Sequence, residues 1–331
     1  MTDLFSIDGF RTQNGDAFDV RLAYRTLGTL SAGHDNAIVV ATSYAAQDDE
    51  AEILVGGESG VDLDSYFVVL INMMSNGLSS SPSNTPNPLD GPRFPHFTVY
   101  DNVACQRGLI DDPGIERVRL VAGFSMGALQ AFEWGCQHAD IVDAILPICG
   151  AARVSPHNRL FLDGAKAALE LDPAFADGDY ASLPEAGLRA FACVYAAWAL
   201  SQEFYRDALY TALGIDSVEG MVGFLYDYFA RRDVNDLLGM LWTWQHADIS
   251  GNARFDGDYE AALRGISARA IVMPGSTDLY FTVADSEIEV AHMPNAELRP
   301  IESAFGHFAG SGHVPEGKSA IDAAISDLLM S

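Results

Sequence analysis

One stretch limits what this chain can fold into more than any other. Arg119-Leu-Val-Ala-Gly-Phe-Ser125-Met-Gly-Ala-Leu-Gln-Ala-Phe-Glu133-Trp-Gly runs from an apolar segment through Gly-Phe-Ser-Met-Gly into an amphipathic pattern. An apolar run of strand length, then Gly-x-Ser-x-Gly, then apolar residues at helical spacing, predicts a strand, a sharp turn and a helix, with Ser125 at the turn and its hydroxyl lifted clear of the sheet. Gly123 and Gly127 have a steric reason to be glycine. The turn brings neighbouring backbone close together and holds the serine in a sparsely populated conformation.

Around this turn the pattern is that of an α/β sheet. Phe5-Ser-Ile-Asp-Gly-Phe and Phe18-Asp-Val-Arg-Leu-Ala-Tyr-Arg-Thr-Leu, separated by the turn-prone Gln13-Asn-Gly-Asp16, predict an antiparallel hairpin. Asn36-Ala-Ile-Val-Val-Ala-Thr42 and Tyr66-Phe-Val-Val-Leu-Ile-Asn72 are near-continuous apolar runs, as in strands buried on both faces of a parallel sheet. Residues 44–59 between them, small and acidic, are expected to form a surface loop. Residues 76–95, dense in Gly, Ser, Asn and Pro, predict a long loop, and loops of this length usually carry function. A helix is expected over 98–110 and strands over 118–122 and 141–149. The alternation of strands and helices then stops, because 151–262 read as helices rich in aromatics. Sheet pattern resumes with a strand over 268–274, a helix over 282–292, a strand over 296–301 and a helix over 317–330. The expectation is a mostly parallel sheet with helices on both faces, formed by 1–150 and 263–331, interrupted by a helical lid over 151–262.

The 46 acidic residues against 19 basic ones, with Lys166 and Lys318 the only lysines, argue against nucleic acid and anionic membranes as partners. No apolar run approaches the roughly eighteen residues that would span a bilayer, and the N-terminus carries Asp3 and Asp8 instead of a basic start. A soluble, cytoplasmic, unprocessed chain is expected. Cys105, Cys136, Cys149 and Cys193 lack metal-ligand spacing and read as small buried hydrophobes, so neither a metal, a disulfide nor a cofactor is expected.

A serine hydroxyl needs a base, and the base needs a carboxylate to hold its tautomer. With this turn the partners arrive in the order Ser, Asp or Glu, His, each after a strand. Asp278 in Gly275-Ser-Thr-Asp278 follows one expected strand and His307 in Ala-Phe-Gly-His307 follows the next. Asp285 and His313 are the rivals, and Asp278 could simply cap a helix. The other histidines, His34, His96, His138, His157, His246 and His292, read as surface or core residues. The backbone amides of Met126 and Tyr44 are the expected donors to a developing oxyanion.

The chain resembles the homoserine O-acetyltransferase-like branch of the α/β-hydrolase superfamily. The resemblance rests on Asp62-Leu-Asp-Ser-Tyr-Phe-Val-Val-Leu-Ile-Asn-Met, Phe94-Pro-His-Phe-Thr-Val-Tyr-Asp-Asn, the turn with its Ala-Phe-Glu-Trp continuation, Arg232-Asp-Val-Asn-Asp-Leu-Leu and Thr277-Asp-Leu-Tyr-Phe. It implies an α/β-hydrolase fold, a triad of Ser125, Asp278 and His307 under the helical lid, and a homodimer. Members transfer acyl groups from coenzyme A thioesters to alcohols, and some relatives hydrolyse esters. The chain departs from the acyltransferases in reading Thr42-Ser-Tyr-Ala-Ala46 at the first oxyanion loop. It also places Trp198-Ala-Leu-Ser201 where they carry an arginine for the substrate carboxylate. Trp198 and Leu200 are therefore expected to bind a less polar substrate. Among the lid aromatics Phe191, Tyr195, Trp198, Phe204, Phe224, Tyr226, Trp242 and Trp244, most are expected to be the lid's own core. Together these features favour a serine acyl hydrolase acting on a small, fairly apolar ester or thioester. An acyl-CoA-dependent O-acyltransferase, a non-catalytic binding protein on the same fold, and carbon–carbon bond chemistry by the same triad remain as alternatives.

Overall fold

A computed structural model describes residues 1–56 and 61–330. Its eight strands are β1 (Asp3–Arg11), β2 (Ala17–Leu27), β3 (Ala37–Ala41), β4 (Phe67–Ile71), β5 (Val118–Phe124), β6 (Ala144–Ile148), β7 (Arg269–Val272) and β8 (Ala296–Leu298). They form one sheet in the order β1-β2-β4-β3-β5-β6-β7-β8. The expected hairpin is present, with β1 antiparallel to β2 and β2 antiparallel to β4. All later pairings are parallel. The runs read as two-sided strands are buried throughout, β3 at every residue and β4 at all but Phe67.

The helices are α1 (Asp48–Ala51), α2 (Val99–Asp111), α3 (Met126–Gln137), α4 (Pro156–Glu170), α5 (Glu185–Ala199), α6 (Gln202–Arg206), α7 (Val218–Phe229), α8 (Val234–Gln245), α9 (Tyr259–Gly265), α10 (Val283–His292) and α11 (Pro315–Leu329). Their starts follow the sequence: Thr98 caps α2, accepting from the Asp101 amide while the Asp101 carboxylate accepts from the Thr98 amide, and Ser155 followed by Pro156 opens α4. One core of mixed aliphatic and aromatic residues lies between the sheet and α2, α3 and α9, and a second, aliphatic one beneath α11. A third, largely aromatic, fills α4 to α8. The sheet contributes to it Tyr44, Met73, Met126, Ala151, Tyr280 and Phe281, which all follow the C-terminal ends of strands. The aromatic core therefore sits over the sheet edge where Ser125 emerges. Within the expected insertion, α9 packs into the first core and α4 to α8 into the aromatic one over the sheet edge.

Two expected loops differ from the sequence reading. Residues 44–56 do not run over the surface: they form α1 and a 3-10 turn over Glu52–Leu54, and Tyr44, Ala45, Ala46, Asp48, Ala51 and Leu54 are buried. Acidity misleads here because the carboxylate of Asp48 is satisfied inside, accepting from Thr2 Oγ1 at 2.9 Å and Asn72 Nδ2 at 3.0 Å. Positions 57–59 of that expected loop lie outside the described residues. The loop over 76–95 is long, as expected, but serves as a polar staple. Ser79 and Ser80 hydroxyls accept from the Ala23 and Arg21 amides of β2, and Ser83 donates to Asp236 of α8 at 2.6 Å.

Candidate active site

Strand β5 delivers Ser125 to the head of α3 with φ 56° and ψ −119°, a conformation a non-glycine residue adopts at a cost of about 1–3 kcal/mol. The surrounding backbone imposes it. A Cβ on Gly123 would lie 2.2 Å from the Gly127 carbonyl carbon, and one on Gly127 would lie 2.4 Å from the Ala41 carbonyl oxygen. Gly150, after β6, closes the third side, since a Cβ there would meet that of Ala128 at 2.4 Å. The Ser125 amide donates to the Ile148 carbonyl at 2.9 Å, so the turn is tied to the neighbouring strand.

His307 joins the other two predicted residues. Its Nε2 lies 2.9 Å from Ser125 Oγ, and its Nδ1 lies 2.7 Å from Asp278 Oδ2. A carboxylate only accepts, so Nδ1 carries the proton and Nε2 is left to accept from the serine hydroxyl. The other Asp278 oxygen accepts from the amides of Tyr280 at 2.7 Å and Phe281 at 3.3 Å. Ser125, Asp278 and His307 are 2%, 4% and 3% exposed, low enough that their hydrogen bonds do not compete with bulk water. Phe124 and Tyr280 pack on the imidazole with centroids 4.7 and 4.8 Å away.

Of the two rivals, Asp285 is engaged elsewhere. Asp285 sits in the first turn of α10, its carboxylate accepting from Thr282 Oγ1 at 2.7 Å, and Thr282 is the cap of that helix. His313 is exposed and borders the cavity described below, and none of the other six histidines does.

Several residues that the sequence did not single out hold this arrangement. Thr277 Oγ1 donates to the Ser303 carbonyl at 2.8 Å and accepts from the Gly306 amide at 3.1 Å, clasping the Asp278 loop to the His307 loop. Gly306 has φ 60°, and a Cβ there would lie 2.7 Å from the Ala199 carbonyl at the end of α5. Cys149, at φ 46°, places its sulfur, an Asp278 oxygen and a His307 nitrogen within 4.8 Å of one another. Burial, then the neighbouring Asp278 charge, push its thiol well above the ordinary range, so it stays neutral. Three of the four cysteines are buried as expected. Cys193 is exposed instead, because it lies on the outward face of α5 with Arg189, Ala190 and Ala197.

A cavity of about 460 Å³ opens beside Ser125 and His307. Its far wall comes from the covering helices, through Tyr195, Leu213, Phe224, Leu225, Tyr228 and Phe229, and among the described residues no lysine or arginine lines it. Tyr44 borders it too. Its hydroxyl donates to the Leu237 carbonyl at 3.0 Å, while Arg232 Nε donates to the Ala45 carbonyl at 2.7 Å, so the cover grips the loop after β3 from two sides. Met126 is the first residue of α3, where the amide has no acceptor within the helix. Trp198 and Leu200 are not part of the cavity wall, contrary to expectation. Trp198 packs on His157 and Phe161, and Leu200 is 1% exposed in the aromatic core. The face of α5 that reaches the cavity is that of Tyr195, one turn earlier.

A sequence profile described as the alpha/beta hydrolase fold matches residues 58–314. The chain belongs to the α/β-hydrolase family. Within it, the chain is 39% identical over 315 residues to an ethyl acetate hydrolase of Pseudomonas veronii, covering 94% of this chain and 90% of that protein. The solved structure of the acetyl esterase MekB superposes with a TM-score of 0.97 at 37% identity, covering all of this chain and 97% of that one. A homoserine O-acetyltransferase of Deferribacter desulfuricans is 29% identical over 338 residues, covering 91% of this chain and 89% of its own. This α/β-hydrolase thus falls in the branch that holds both esterases and homoserine acetyltransferases.

Proposed function

We propose that this α/β-hydrolase is a carboxylic ester hydrolase that works through an acyl-enzyme on Ser125, with His307 as its base and Asp278 as the group that orients it. The observation that carries this reading is the unbroken Asp278–His307–Ser125 hydrogen-bond chain on a strained turn facing a mainly apolar cavity. His307 Nε2 takes the hydroxyl proton as Ser125 Oγ attacks the ester carbonyl carbon, and the Asp278 carboxylate stabilises the imidazolium that forms. The carbonyl electron pair moves onto oxygen, which the amides of Met126 and Tyr44 receive, with the head of α3 adding a favourable dipole. Collapse breaks the bond to the alcohol, which leaves with the proton from His307. Water, deprotonated by His307, then attacks the acyl-serine, and a second collapse releases the acid and restores Ser125. The covering helices α4 to α8 form the lid of the site and shape its cavity.

Hydrolysis is favoured over acyl transfer because a coenzyme A donor and an amino-acid acceptor both bring anionic groups, and the described cavity wall offers no lysine or arginine to pair with them. Two named relatives act on acetate esters, which fits a small acyl group. The test is product analysis with ethyl acetate and with acetyl-CoA, each with and without an added alcohol. Acetate release from the ester that ignores the alcohol is expected, and it is expected to disappear in Ser125→Ala. Alcohol-dependent release of free CoA that outpaces ester hydrolysis would overturn the reading.

A further inference from the structure

Among the described residues lining the cavity, Glu50 is the only carboxylate, in a wall of aliphatic, aromatic and hydroxyl groups with His307 and His313. Its Oε2 accepts from the Gln47 amide at 2.8 Å, which closes the capping box of α1, and from Arg232 Nη2 at 2.8 Å. Arg232 lies behind the wall with its side chain 12% exposed, and its guanidinium carbon is 6.0 Å from the ring of Tyr228, another wall residue. A guanidinium this close to a substrate cavity is the natural partner for a carboxylate-bearing substrate, through charge-assisted and often bidentate hydrogen bonds. Here the protein supplies that carboxylate itself.

The pairing has a consequence for what can enter. Arg232 spends its Nε on the Ala45 carbonyl and its Nη2 on Glu50, so the pair presents little net positive charge to the cavity. The chain as a whole carries a formal charge of −27, which adds a negative background. An anionic substrate group would lose its hydration in a mainly apolar wall and meet a carboxylate instead of a free guanidinium. An uncharged ester suffers neither loss.

We propose that Glu50 determines the charge specificity of this site: by occupying Arg232 it restricts the enzyme to uncharged esters and keeps out esters that carry a carboxylate. This rests on the esterase reading above. It makes Glu50 a specificity residue acting through Arg232, with no part in bond making or breaking.

The test uses a matched pair, O-acetyl lactate and its methyl ester, with acetate release measured on the full-length enzyme. Wild type is expected to favour the methyl ester in kcat/KM on the order of 100-fold, as an unpaired charge beside a like charge would cost. Glu50→Gln retains an acceptor for the Gln47 amide and removes the charge. It is expected to cut the preference on the order of tenfold, about 1.4 kcal/mol, chiefly by improving turnover of the anion. Glu50→Ala gives the same readout should Glu50→Gln fail to fold. A wild type that turns over both esters equally, or a folded variant with an unchanged ratio, overturns the proposal while leaving the esterase reading intact. Acetate release from neither ester overturns both together.

Discussion

The sheet edge and the helical cover of this α/β-hydrolase meet at one cavity, yet they are built by different rules. At the sheet edge, the three residues of the proposed triad follow strands, and backbone fixes two of them: Ser125 by Gly123, Gly127 and Gly150, Asp278 by the amides of Tyr280 and Phe281. In the cover, shape comes mainly from packed side chains. Phe161, Phe191, Tyr195, Phe229 and Trp244 of the cover form a continuous group of ring contacts with Tyr44 and Tyr280 of the sheet-edge loops, and only some of these rings face the cavity. On the proposed reading, the difference puts chemistry at the edge and selectivity in the cover.

The strongest way to break that division is at the edge. Ser125→Ala and His307→Ala are each expected to lower kcat/KM by about 10⁵ to 10⁶ with little change in melting temperature. Asp278→Asn is expected to cost about 10⁴, since an amide no longer fixes the productive tautomer. A comparable loss from a cover residue that touches neither Ser125 nor the loop after β3 would erase the distinction.

Smaller effects are expected where the cover touches the edge. Arg232→Gln leaves the Ala45 carbonyl without its donor, at a residue with φ 60°, and should reduce kcat by about 10²-fold at nearly constant KM, because the loop that carries the proposed oxyanion donor loses its position. Within the cover, Leu225→Ala should shift preference toward bulkier esters and destabilise the protein by about 2–5 kcal/mol. Trp198→Ala should destabilise without altering chain-length preference, since Trp198 does not reach the cavity. A panel of acetate to hexanoate esters, run beside thermal melts, separates the two.

The fold, and the meeting of Ser125, Asp278 and His307 at the candidate site, were legible in the sequence because backbone requirements leave a local signature. A glycine on each side of Ser125, and strands ending just before Asp278 and His307, are visible without knowing what lies nearby. The cavity wall was not. Helical periodicity turns Tyr195 and Trp198 toward one side of α5, but does not tell that only Tyr195 meets the cavity, because that depends on how α5 is rotated against α7. The Thr277 clasp and the Glu50–Arg232 pair join positions 26 or more apart in the chain, and single residues give no sign of such partners. Misreading 44–56 as a surface loop had the same origin, since its acidic residues are neutralised by distant groups.

The smallest expected effects concern pH and thiols, far from catalysis. Glu133 in α3 is wholly buried with one donor, Gln137 Nε2 at 2.9 Å, and burial pushes its carboxyl up to about 8. The folded state therefore holds a proton that the unfolded chain releases near pH 4.5, so stability should decline as pH rises from that value to about 8 and then level off. Melting temperatures of wild type and Glu133→Gln across this range check it, with a flatter profile expected for the variant. One thiol, Cys193, should react promptly with Ellman's reagent in the native protein, and all four after denaturation.

The central claim is that the sheet edge activates Ser125 through His307. Intact-mass analysis after brief exposure to a fluorophosphonate tests it most directly. One adduct on the peptide carrying Ser125, absent from Ser125→Ala and formed far more slowly in His307→Ala, is the predicted result. Equal labelling of wild type and Ser125→Ala, or a His307→Ala variant labelled as fast as wild type, would contradict it.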